Sequence, residues 1–262
     1  PDASLWYHAE RNHFSNWIMA RSEIALASSF RDVQASDFES ADELRAYIIS
    51  NIHQLRKLRQ KGGMARFNGQ HYDPEVMDFV KIGRGSLGGK ARGLAFMSAV
   101  LHQNSELHEK YADIRIDLPK ALVICTDGFE SFVAENDLRH FAGEGFTDNA
   151  VADAFLKADM PGWLRQELEA FISHVGYPLS VRSSSLLEDA QFQPYAGLYE
   201  TYMIPNNHPD PAVRLTHLMN AVKLVYASTY YENPKAFARN TANQPQEEAM
   251  AVIIQQVVGQ QY

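Results

Sequence analysis

The sequence contains only one cysteine among its 262 residues, Cys125. It therefore cannot form an internal disulfide, and a reducing compartment, the cytoplasm, is expected. The sequence also lacks any apolar run approaching the ~18 residues that a membrane-spanning helix needs, and no charged-then-apolar leader opens it. These absences predict that the chain has no membrane partner.

Positive charge is also in short supply. The 24 lysines and arginines stand against 32 aspartates and glutamates, which gives a formal net charge of −8. Because binding to a nucleic-acid backbone requires a basic face, no nucleic-acid partner is expected, and any phosphate site must be positive only locally. With 45% hydrophobic residues, the chain can still bury a sizeable core, as one large domain or as two.

The ten histidines do not form a metal-binding pattern. No pair of histidines four residues apart is combined with a carboxylate as in H-E-x-x-H, and there is no cysteine pair. We therefore predict no metal ligands of this kind in the chain.

The first stretch that carries chemistry is GRGSLGGKARGL, residues 83–94. Glycines precede Lys90, and a helical pattern follows it, so a loop leads directly into a helix N-terminus, where free amides favour an anion. Gly88, Gly89 and Lys90 are thus candidate phosphate ligands. The stretch is not a Walker loop, because Ala91 stands where that motif has Ser or Thr. The alternative is a glycine-rich hairpin with a solvated lysine.

A second stretch, residues 179–201, begins as an apolar strand and then presents Arg182, Ser183 and Ser184. The arginine fork and the hydroxyls suit a bound phosphate, and Glu200 could hold a metal ion or a sugar hydroxyl. The alternative is a surface arginine at the strand edge, paired with an acidic residue of the following loop, Glu188 or Asp189.

Taken together, four motifs in order resemble the nucleotide-binding domain of the phosphoenolpyruvate synthase and pyruvate, phosphate dikinase family. The first two are GGKGxNLAxM and T-x-x-[FY]-x-x-F, and the others are VRSSA-x-x-ED…AG-x-x-ET and AV-x-x-Q-x-MV. The matching residues are Gly88, Gly89, Lys90, Gly93, Leu94 and Met97; Thr126, Phe129 and Phe132; Val181 to Ser184, Glu188, Asp189, Ala196, Gly197, Glu200 and Thr201; and Ala251, Val252, Gln255 and Val258. Departures from the pattern are Ala91, Arg92 and Val257.

The resemblance implies an α+β fold with an ATP-grasp-like nucleotide-binding domain over residues 81–262. Since the chain begins at Pro1 and stops within an apolar strand pattern, we expect this domain to be truncated, with a first lobe and the start of a second. A helical accessory region is expected over residues 1–80, where Ser40 and Glu43 form a capping box. The sequence does not distinguish between three roles for this region, namely an accessory domain, a docking surface and a homodimer element.

The resemblance also implies functional roles. Lys90 and Arg182 would be the catalytic phosphate ligands, Ser183 and Ser184 would support them, and Glu200 would hold a ribose hydroxyl or orient Arg182. The backbone from Gln255 through Val257 to Val258 would meet adenine. The cofactors would be ATP and Mg²⁺, with the metal ligands on a strand beyond Tyr262, so that this chain alone is expected not to turn over ATP.

In such enzymes phosphate passes from ATP, which leaves as AMP, to a histidine on a separate domain and then to pyruvate. The sequence leaves two alternatives open. One is a dikinase or phosphotransferase with another acceptor, as in the rifamycin and glucan types. The other is a non-catalytic nucleotide-binding module.

Overall fold

The computed structural model describes residues 2–20, 24–31, 33–59, 64–104, 110–111, 113–114, 116–185, 197–239 and 249–259. It forms two compact units, Pro1–Lys61 and Gly62–Tyr262. Within the described residues, no helix has both the length and the apolar character to cross a membrane.

The first unit is helical. Its helices are α1 Asp2–Glu10, α2 His13–Met19, α3 Ile24–Arg31 and α4 Ala41–Arg59, with a 3₁₀ turn at Ala35–Asp37. The predicted cap of α4 is present, because the Ser40 hydroxyl accepts a hydrogen bond from the Glu43 amide at 3.1 Å. The Glu43 carboxylate accepts from the amide of Glu39, one residue before the predicted partner. Leu26, Phe30 and Leu44 are buried in this unit.

The second unit is built on a six-stranded sheet in the order β1-β2-β3-β6-β4-β5. The first three strands run parallel, and the pairs β3–β6, β6–β4 and β4–β5 are antiparallel. The strands are β1 Ala65–Arg66, β2 Phe79–Ile82, β3 Ala121–Ile124, β4 Leu179–Ser185, β5 Thr201–Ile204 and β6 Met250–Gln256. The predicted α+β class is confirmed.

The sequence predicts helices up to about residue 80, whereas the described helices of this region end at Arg59 and the strands β1 and β2 follow. These strands have two and four residues. Runs this short show no clear periodicity, and neighbouring strands rather than local propensity stabilise them.

Helices cover both faces of the sheet. They are α5 Gly88–Gln103, α6 Thr126–Glu135, α7 Asp148–Lys157, α8 Gly162–His174, α9 Pro211–Ser228 and α10 Glu232–Arg239, with a 3₁₀ turn at Leu138–Ala142. Successive strand residues point to opposite faces, so the two faces have separate cores. Leu122 and Ile124 belong to the large core that includes residues of α6 to α10. Ala121 and Val123 belong to a small cluster that includes Ala91 of α5.

Phe132 is the side chain in which three helices of the large core meet. It is fully buried, and its ring lies 5.7 Å from that of Phe155 and 5.6 Å from that of Tyr226, measured between centroids. These partners come from α7 and α9. Aromatic rings at such separations contribute packing beyond their buried area.

We therefore expect Phe132→Ala to lower the free energy of unfolding by about 3–5 kcal/mol, because the truncation leaves a cavity that the helices cannot close. Urea denaturation followed by circular dichroism measures this change. Phe96→Ala is the control, since Phe96 on α5 is 70% exposed and its loss should cost less than about 1 kcal/mol. Equal losses in the two variants would contradict this account of the core.

Cys125 directly follows β3 and is buried. Burial, followed by the nearby charge of Asp127, raises the pKa of its thiol to about 11. Only the thiolate reacts with electrophiles, and at pH 8 roughly one thiol in a thousand would be ionised.

We expect native protein at pH 8 to react with a thiol reagent such as dithionitrobenzoate far more slowly than the same protein in denaturant, which should react stoichiometrically. The release of thionitrobenzoate measures both rates. Complete reaction of the native protein at the denatured rate would show that the thiol is neither buried nor protonated.

Candidate functional site

The two glycine- and serine-containing stretches meet through the side chain of Ser184. This residue is fully buried in β4. Its hydroxyl donates to the carbonyl of Leu87 at 2.8 Å and accepts from the amide of Ala91 at 3.0 Å. The structure thus brings the start of α5 against the end of β4, as the predicted site requires.

Gly88 lies at the closest approach between these elements. Its φ is +71°, and a Cβ built on it would lie 1.5 Å from the backbone carbonyl oxygen of Ser184. A side chain would therefore force the strand and the helix apart. Gly88 and the following Gly89 are both buried.

Lys90 occupies the first turn of α5 and reaches the same strand. Its Nζ lies 3.4 Å from the carbonyl oxygen and 3.3 Å from the hydroxyl of Ser183. Ser183 is buried, whereas Lys90 is half-buried. The ammonium group is therefore held at the residue that follows Arg182 in the chain.

Arg182 is the one residue of β4 that is not fully buried. In the sheet it lies directly opposite Ile253 of β6 and Thr201 of β5. Its side chain therefore shares the sheet face of Ile253, which packs with Ala91. Among the residues that the structure describes, no carboxylate forms an ion pair with the guanidinium. Lys90 thus contacts β4 one residue beyond Arg182, so both cations belong to the same part of this strand.

Gln255 and Val257 lie further along the same face. Gln255 is half-buried in β6, opposite Ser180 of β4. Val257 is 39% exposed, and its amide donates to the carbonyl of Pro178 at 2.9 Å. Met203 of β5, also opposite Ser180, is 68% exposed. Alternation along the strands makes these side chains part of the surface that includes Arg182.

Glu200 is not joined to this group by any contact in the described part of the chain. It is exposed and precedes β5, and its amide donates to the Ser228 hydroxyl at 3.2 Å. Burial, and then the charge of Glu200, raises the pKa of Tyr202. The β5 residue directly opposite Arg182 is Thr201, which the sequence did not single out as a ligand.

Three residues of the predicted motifs lie outside the described residues. They are Glu188, Asp189 and Ala196, so any pairing of the first two with Arg182 also lies outside the described ranges. In the parts of the chain that are described, no group of three or more histidine, cysteine or acidic side chains is placed to hold a metal ion.

Sequence reasoning missed Thr126 and Asp127. Both contact the glycine-rich loop, since Thr126 Oγ1 accepts from the Ser86 amide at 3.0 Å and Asp127 Oδ2 from the Arg84 amide at 2.8 Å. Thr126 was noted only as a motif match. The available signal was that a hydroxyl and a carboxylate directly follow a buried strand.

A loop that leads into a helix N-terminus, a lysine in the first helical turn and an arginine on the adjoining strand are typical of α+β domains of the nucleotide-binding class. The chain belongs to the family described as pyruvate phosphate dikinase, AMP/ATP-binding domain, which matches residues 84–262. A comparison with curated proteins found no match. The second unit is thus the AMP/ATP-binding part of a protein like pyruvate phosphate dikinase.

We expect Gly88→Ala to destabilise the second unit by roughly 1–3 kcal/mol, because the methyl group collides with the Ser184 carbonyl and the positive φ is strained for alanine. Gly93→Ala provides a matched control on the same helix. A Cβ at Gly93 meets nothing within 4 Å, so this change should stabilise by about 0.5–1 kcal/mol.

Denaturant midpoints of the two variants and the unmodified chain measure both effects. Both variants replace glycine by alanine, five residues apart in the same helix. Opposite changes in their stability would therefore distinguish the packing constraint at Gly88 from the helix propensity of alanine. A stabilising Gly88→Ala would show that α5 does not approach β4 as described.

Proposed function

We propose that this chain supplies the ATP site of a phosphotransferase of the pyruvate phosphate dikinase or phosphoenolpyruvate synthase type. In the complete enzyme, phosphate would pass from ATP, which leaves as AMP, to a histidine on a separate domain and from there to pyruvate. The observation that carries the proposal is the contact of Lys90 Nζ with Ser183, the residue that follows Arg182 in β4.

The described residues offer the groups that a nucleoside triphosphate requires. A phosphate chain needs fixed N–H donors and local positive charge, and the start of α5 offers helix amides beside Lys90. The Arg182 side chain is half-buried, and its planar fork of donors suits phosphate oxygens. In a chain with a net charge of −8, such a pair of cations is a specific local feature.

The chemistry assigned to the chain is positioning and charge stabilisation. The Lys90 ammonium would neutralise developing charge on the transferred phosphoryl oxygens, and Arg182 would hold them in a fixed orientation. Ser183 and Ser184 would act behind these cations, by holding Lys90 and the start of α5. Bound Mg²⁺ would supply further charge neutralisation between phosphates.

The base would lie along the sheet face beyond Arg182. There Gln255 is half-buried and Val257 and Met203 are exposed, which offers an apolar surface with polar groups at its margin, as ligand pockets commonly do. Because the Val257 amide is already donated to Pro178, the hydrogen bonds to adenine would come from the Val257 carbonyl and from the following backbone. Glu200 would serve the ribose.

We expect this chain to bind Mg-ATP, and expect Lys90→Ala and Arg182→Ala each to weaken binding by about tenfold or more, because each removes a charge-assisted contact to phosphate. Isothermal titration calorimetry measures the affinities. Arg182→Lys should remain weaker than the unmodified chain, since an ammonium cannot replace the bidentate fork.

Lys157→Ala and Arg165→Ala are charge-matched controls. Both residues are exposed on α7 and α8, which pack on the other face of the sheet, so their removal should leave the affinity unchanged. If all four alanine variants weakened binding equally, general electrostatics rather than a site would explain it. If none did, the proposal would be wrong.

A further inference from the structure

The glycine-rich loop, residues 83–87, is held by the start of α6 as well as by Ser184. Ser86 and Thr126 form a reciprocal pair. The Ser86 amide donates to Thr126 Oγ1 at 3.0 Å, and the Thr126 amide donates to the Ser86 carbonyl at 2.9 Å. Because Thr126 is only 5% exposed, this pair anchors the middle of the loop in the protein interior.

Asp127 holds the preceding part of the loop. Its Oδ2 accepts from the Arg84 amide at 2.8 Å. Gly83 has a φ of +90°, and a Cβ on it would lie 2.3 Å from Asp127 Oδ1. The loop backbone is therefore packed directly against the carboxylate.

These contacts differ from ordinary helix capping. Threonine and aspartate at a helix start commonly accept hydrogen bonds from the first amides of their own helix. In α6 the N-cap residue is Cys125, and no side chain caps the helix. The Thr126 hydroxyl and the Asp127 carboxylate instead accept from amides of the loop, about forty residues earlier in the chain.

Asp127 also has a buried oxygen atom that is unfavourable for the fold, so a contribution to stability does not by itself explain this residue. Its Oδ1 is buried, and within the described residues no group donates a hydrogen bond to it. Leaving a buried carboxylate oxygen unsatisfied is unfavourable. Because the carboxylate contacts the loop despite this cost, its presence is better explained by the position it imposes on the loop.

We propose that Thr126 and Asp127 are positioning residues of the phosphate loop. They fix the amides of Arg84 and Ser86 on the inner side of the loop, while Ser184 fixes its end at Leu87. The loop is thereby clamped at both ends before a ligand arrives, with Lys90 at a fixed position just beyond it. Naming this segment a phosphate loop rests on the proposed function, but its clamping by α6 does not.

Limited trypsin digestion tests the clamp without any nucleotide. Arg84 is exposed, so cleavage of the Arg84–Gly85 bond, followed by mass spectrometry, reports release of the loop. Thr126→Val keeps the side-chain shape and removes the acceptor, and we expect it to accelerate this cleavage about fivefold, the effect of one lost hydrogen bond. Thr126→Ser retains the hydroxyl and should digest at the unmodified rate, and Asp127→Ala should also accelerate cleavage.

Cleavage after Arg165, within α8, reports global unfolding in the same digests and should not change. The clamp is refuted if Thr126→Val leaves cleavage at Arg84 unaltered, or if cleavage at Arg84 and Arg165 rises equally. Mg-ATP titration of the same variants forms the second arm, in which Thr126→Val should bind several-fold more weakly and Thr126→Ser normally. If the unmodified chain binds no Mg-ATP, the proposed function fails, while the digestion still decides whether α6 holds the loop.

Discussion

The hydroxyl of Ser184 is the contact on which the arrangement of the site depends. One oxygen atom both donates to the Leu87 carbonyl and accepts from the Ala91 amide, so it satisfies groups on both sides of the point where the loop becomes helix. These two groups are four residues apart, the spacing of the first hydrogen bond of α5, and the Ser184 hydroxyl bridges them. Leaving either group unpaired in a buried place is costly. The pairing fixes where the start of α5 lies along β4. The absence of a side chain at Gly88 permits the close approach, and the position of Lys90 follows from it.

Because side chains alternate along each strand, one face of the sheet belongs to the large hydrophobic core and the other carries the proposed ligand site. On one face, Val181, Val252 and Ile254 belong to the large core that includes residues of α6 to α10. On the other face, α5 covers only a small cluster, and the adjoining positions carry Arg182, Gln255 and the exposed Met203. Because β4 pairs with β5 and β6 on its two sides, Arg182 stands on a strand that is held from both directions. Sites supported in this way are more precise than sites on free loops.

The sequence predicted those parts of the molecule that depend on local patterns. The Ser40 cap of α4 and the glycine-rich loop that leads into a helix follow from such patterns, and the structure has both. The α+β class, which the family resemblance implied, is also present. The sequence did not predict β1 and β2, which are too short to show a period. Nor could it place Thr201 opposite Arg182, because register is set by pairing across the sheet. The contacts of Thr126 and Asp127 were missed for the same reason, since they join residues far apart in sequence.

The electrostatic design of the site follows from the overall charge. A chain with a net charge of −8 repels a polyphosphate at long range, so attraction must come from groups that act at contact distance. Lys90 meets this requirement because its contacts with Ser183 of β4 already fix its position. Donors that are ordered during folding need little reorganisation when an anion binds, and less of the interaction free energy is lost to ordering. Because buried contacts hold the binding groups in place, a few positive charges are sufficient to bind a polyphosphate although the net charge of the chain is negative.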